Sequence, residues 1–103
     1  MIDRIRTRES FERLRREGRR VRVGPIWCTY VHDPSVTTPR VAFAISRAVG
    51  NAVVRNRLRR RLRAILADSD VPNGLLLIGV RPPVVELSFD RLRTTLEKLL
   101  TQL

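Results

Sequence analysis

Cysteine, histidine and acidic residues are scarce in this chain, and each scarcity excludes a class of chemistry. Cys28 is the single cysteine, so no intramolecular disulfide forms and a cysteine-built metal site lacks ligands. His32 is the single histidine; it stands beside a turn and reads as a surface residue, with no second histidine for acid/base work. Asp and Glu number 10 against 21 Lys and Arg, are scattered, and are absent between Ala42 and Ala67. Phosphodiester hydrolysis by a protein site needs clustered carboxylates around metal ions, or an acid/base pair, and neither is visible. Long apolar runs are missing as well. Nothing approaches the roughly 20 residues of a membrane span, and the N-terminal MIDRIRTRESF lacks the apolar core of a signal peptide. The expectation is a soluble, cytoplasmic protein with no membrane and no evident protein partner.

What is abundant is positive charge. A chain of 103 residues builds one domain around one modest core, and a net charge of +11 points to a polyanionic partner. Residues 1–63 hold 17 basic and 5 acidic residues, whereas residues 64–103 hold 4 and 5. The first part carries the binding charge and the last part packs. Every basic residue except Lys98 is arginine. Arginine suits bidentate phosphate contact and base stacking, though coding bias yields the same skew.

Local patterns divide the chain into elements. TRESFERLRREG (7–18) reads as a short helix, with Thr7 as N-cap, Glu9 in the first turn and Gly18 as the stop. RRVRVG (19–24), PIWCTYVH (25–32) and RVAFAIS (40–46) read as strands rich in β-branched and aromatic residues. DPSVTTP (33–39) between the last two supplies turn residues, so a hairpin is the natural reading. Gly50 permits an unusual backbone angle, Asn51 caps a helix from about Ala52 to Ala67, and LLLIGVR (75–81) reads as a strand buried on both faces. SFDRLRTTLEKLLTQL (88–103) closes the chain as an amphipathic helix with Phe89, Leu92, Leu96, Leu99 and Leu103 on one stripe.

The stretch VVRNRLRRRLR (53–63) holds Arg55, Arg57, Arg59, Arg60, Arg61 and Arg63. At about 100° per residue, Val54, Leu58, Leu62, Ile65 and Leu66 form one stripe, and Asn56, Arg57, Arg59, Arg60 and Arg63 take the opposite arc. Arg55 and Arg61 flank the stripe. A charge run is ordinarily a solvated face. Here no acidic side chain relieves the repulsion through i,i+4 pairs, whereas phosphates would, with strongly salt-dependent binding as the consequence.

SRAVGNAVVRNRLRRRLR (46–63) resembles the signature of the bacterial ribonuclease P protein component: a Ser-basic strand end, Gly-Asn-Ala-Val, then an Arg-Asn-Arg helix. The resemblance extends to Phe11 and Gly18 in the first helix, to RVAFAIS, and to Arg81-Pro82 after the apolar strand. It implies an α+β fold, a single-domain α/β sandwich over residues 1–103 in the order αβββαβα with a left-handed βαβ crossover, against the usual hand. It further implies the protein subunit of a ribonucleoprotein that removes the 5′ leader of precursor tRNA, an endonuclease whose catalysis and Mg²⁺ reside in the RNA subunit. No catalytic residue and no metal ligand is then expected in the protein. Arg47, Arg55, Asn56, Arg57, Arg59, Arg60 and Arg63 match the signature as RNA contacts. Phe11 matches the first-helix aromatic of a cleft for the single-stranded leader, with Arg8, Arg15, Trp27 and Thr29 around it.

The sequence departs from the family at this cleft. Arg15 stands where a second aromatic is common, and Thr29 stands where the strand aromatic aligns; Trp27 shares a face with Thr29 while Tyr30 points away, which makes Trp27 the substitute. Phe11 suits either leader stacking or the core side of a short helix. Cys28 and Phe43 read as core, and Arg61, where an aliphatic is common, as a widening of the cationic face. Two other classes remain open: a structural RNA-binding protein, which explains the charge but not the signature, and a stand-alone nuclease, which the missing carboxylate cluster disfavours.

Overall fold

The apolar run becomes the centre of the sheet. In the computed structural model, which describes residues 1–103, the elements are β1 (Asp3–Arg4), α1 (Arg8–Glu17), β2 (Arg19–Val23), β3 (Ile26–His32), β4 (Arg40–Ala44), α2 (Ala52–Ala67), β5 (Gly74–Val80) and α3 (Phe89–Leu100). Short 3-10 turns occupy Arg47–Val49 and Pro82–Glu86. One mixed sheet has the order β1-β4-β5-β3-β2, an α+β architecture. Strand β5 pairs with β3 antiparallel and with β4 parallel, so α2 is the crossover between parallel neighbours.

Two features differ from the sequence-based expectation. The segments 25–32 and 40–46 do not form a hairpin, because β5 lies between β3 and β4. Their DPSVTTP connection has turn chemistry, yet pairing them with each other would leave the most apolar strand at an edge, whereas interposing β5 satisfies its backbone on both sides. The hairpin is instead β2–β3, closed by Gly24-Pro25 with Gly24 at φ 56°, a left-handed angle that glycine adopts without strain. The order αβββαβα also lacks a strand: β1 precedes α1 and runs parallel to β4, with Asp3 N–H donating to Pro39 O at 2.7 Å and Ile5 N–H to Val41 O at 3.1 Å. A pairing this short carries no periodicity that a sequence could display.

The sheet divides the apolar residues between two faces. On one face, Ile26, Cys28, Val41, Leu76 and Ile78 pack against Leu58, Leu62, Ile65 and Leu66 of α2 and Leu92, Leu96, Leu99 and Leu100 of α3. On the other, a small cluster of Ile5, Leu14, Val31 and Leu75 seats α1, with Ala42 and Leu77 at its margin. Phe89 and Leu103, at the ends of the α3 stripe, are only half-buried, and Leu100 joins the core. No helix is long and apolar enough to cross a membrane.

Candidate RNA interface

The front half of the signature builds the helix, and the back half is displayed by it. Asn51 Oδ1 accepts the Val54 N–H at 3.0 Å, satisfying one of the amides that a helix start leaves free. A Cβ on Gly50 would stand 2.8 Å from Val54 Cγ1, so the tight entry needs glycine. Leu58, Leu62, Ile65 and Leu66 are buried beneath, and Val54 is half-buried. Asn56, Arg57, Arg60, Arg61 and Arg63 are exposed, as is Arg47 on the 3-10 turn. Arg59 is half-buried and donates from Nη1 to Asn56 Oδ1 at 2.8 Å. Arg55, on the flank of the stripe, is half-buried with its Nε enclosed and unpartnered. The chain's ion pairs are Arg6–Asp3, Arg13–Glu17 and Arg13–Asp33, so every arginine of α2 keeps its charge uncompensated.

This basic surface continues around the sheet edge. The Arg63 guanidinium stands 5.7 Å from the centre of the Phe43 ring, which is half-buried against the core instead of fully enclosed. A hollow of about 340 Å³ here is lined by Ile2, Asp3, Arg4, Arg6, Val41, Phe43 and Arg63. Arg4 and Arg6 were not legible as partners of α2, because only the β1–β4 pairing brings them beside Arg63.

The opposite sheet face is partly open. Registered neighbours form two rows across it: Ala44, Gly79, Trp27 and Arg22, then Ala42, Leu77, Thr29 and Arg20. The next row, with Leu75 and Val31, lies under Leu14 of α1. Arg13 reaches Asp33 from one flank of α1. At about 100° per residue, Phe11, Arg15 and Arg8 lie on the other flank, which overlooks the open rows. Phe11 is 42 % exposed and therefore not a core residue; Arg8, Phe11, Glu12 and Arg15 together line a shallow hollow. Thr29 abuts the end of α1, its Cγ2 occupying the space that a Cβ on Gly18 would need. Gly18 is thus required for close approach, since its φ of −66° is open to any residue. Trp27 lies across Gly79, where a Cβ would fall inside the indole.

No group of three or more His, Cys, Asp or Glu side chains is placed to hold a metal ion. Burial pushes the Cys28 thiol up to about 12, far from the range of a reactive thiolate. His32 is exposed, and its Nδ1 lies 3.0 Å from the Tyr30 hydroxyl, which donates to Asn73 O at 2.7 Å.

The Ribonuclease P family model matches residues 2–103. The ribonuclease P protein component of a Nocardioides species is 39% identical over 97 residues, covering 90% of this chain and 80% of that protein. That of Beutenbergia cavernae is 34% identical over 104 residues, covering 98% and 87%. The RNase P protein of Staphylococcus aureus superposes with a TM-score of 0.85 at 21% identity, over 99% of this chain and 95% of that one. That of Thermotoga maritima gives 0.86 at 23% identity, over 98% and 97%.

Proposed function

This chain belongs to the ribonuclease P protein family, the protein component of a tRNA-processing ribonucleoprotein endoribonuclease, and from that premise we propose how its surfaces divide the work. The outward arc of α2, with Asn56, Arg57, Arg59, Arg60 and Arg63, binds phosphates of the RNA subunit together with Arg47 on the preceding turn and Arg55 on the flank of the arc. The open sheet face below Phe11, Arg8 and Arg15, floored by Thr29 and Trp27, holds the single-stranded 5′ leader of precursor tRNA. Unpaired arginines beside anionic RNA gain favourable Coulomb energy and release counterions. The half-exposed Phe11, in a shallow hollow with Arg8 and Arg15, suits an unpaired base, which stacks on aromatics where a duplex hides its faces.

Catalysis then falls to the RNA subunit. Mg²⁺ bound by that RNA would supply Lewis-acid chemistry at the scissile phosphate. The protein raises local RNA affinity and positions the leader, and the setting is the cytoplasm. The single observation that carries this reading is the wholly uncompensated cationic arc of α2. Reconstitution tests it: the purified chain should increase precursor-tRNA cleavage by a bacterial ribonuclease P RNA at low Mg²⁺. No increase, or cleavage by the protein without RNA, would remove the basis for the division of labour.

A further inference from the structure

Trp27, the residue offered above as a stacking surface, already has two neighbours against its ring. One face lies against the sheet at Gly79. The Arg20 guanidinium stands over the indole at 4.3 Å from its centroid. Register explains the contact: Arg20 pairs with Thr29 and Arg22 with Trp27, so the Arg20 side chain reaches diagonally onto the neighbouring row. Arg20 is exposed, belongs to no ion pair, and donates no hydrogen bond to another side chain.

We propose that Arg20, held over the Trp27 ring, is the stacking surface for one unpaired nucleobase of the leader, in the order indole, guanidinium, base. The proposal rests on the leader-binding reading above. A guanidinium is planar and weakly hydrated, and it stacks on aromatic faces while its edge N–H groups remain free for phosphate. Trp27 seats the guanidinium 4.3 Å from its ring centroid, so the cation is placed before RNA arrives, which lowers the entropy lost on binding. Arg22, beside Trp27 on the same face, supplies a second charge for the flanking backbone. The cleft therefore replaces an aromatic at position 29 with a tryptophan-backed cation one row away. A duplex offers no base face to such a plane, so the occupant is single-stranded.

The test separates planarity from charge. Precursor tRNA is bound to the complex of this chain with a bacterial ribonuclease P RNA, with leaders carrying one abasic nucleotide at successive positions. Arg20→Lys keeps the charge and loses the plane; it should weaken leader-bearing RNA about tenfold. One abasic position should cost wild type the same factor and cost Arg20→Lys nothing further. Leaderless tRNA should bind equally to both. Arg20→Lys binding as tightly as wild type, or losses that add in full at every abasic position, would overturn the stacking role while leaving the leader site standing. Wild type binding leader-bearing and leaderless RNA equally would overturn both.

Discussion

Arg13 Nη1 lies 2.8 Å from Asp33 Oδ2, tying α1 to the loop that follows β3. Hydrogen bonds from Ser35 first, and then from Arg13, hold the Asp33 carboxyl down at about 2. A carboxyl depressed in the folded state stabilises it above the unfolded value, and that contribution disappears as pH falls from about 4 through about 2. Urea unfolding of wild type and Asp33→Asn should therefore show a gap that is constant near neutrality and closes across that acid window. A gap independent of pH would contradict the ion pair.

Phe11 and Leu14 divide the roles of α1. Leu14 is 2% exposed under the helix, and Leu14→Ala should cost about 2–5 kcal/mol in unfolding free energy. Phe11→Ala should cost only about 1 kcal/mol while weakening leader-bearing precursor tRNA about tenfold and leaving leaderless RNA unchanged. Equal losses on both RNAs would reject the cleft role of Phe11.

Gly79 is the seat of Trp27, and Gly79→Ala places a methyl inside the indole. The expected cost is about 1–3 kcal/mol, with the emission of Trp27, the sole tryptophan, shifted to the red as the ring lifts into water. Unchanged stability and emission would show that the ring does not rest there.

Asn51 separates building from binding within the signature. Asn51→Ala should lower stability by about 1 kcal/mol through the lost cap, yet leave the salt dependence of RNA binding as in wild type. A flattened salt dependence would place Asn51 among the RNA contacts.

Elements set by local chemistry were legible. The limits of α2 follow from the Asn51 cap and the helical spacing of Leu58, Leu62 and Ile65, and the buried state of β5 follows from its unbroken apolar run. The family resemblance then pointed to the ribonuclease P RNA as partner. Non-local pairing was not legible: the insertion of β5 between β3 and β4, the short β1, and the arrival of Arg4 and Arg6 beside Arg63 depend on which strands meet. The sequence placed Trp27 on the same sheet face as Thr29, as the register has it, but Arg20 over its ring emerges only from the β2–β3 register and diagonal reach.

The central claim is that the outward arginines of α2 hold phosphates of the RNA subunit, and a salt titration measures it. Binding of a bacterial ribonuclease P RNA to wild type should weaken linearly on a log–log plot against salt, with a slope that counts neutralised phosphates. Arg59→Ala combined with Arg60→Ala should weaken binding at low salt and reduce the slope by about one unit per lost contact. Parallel lines of equal affinity for wild type and the double variant would contradict the account.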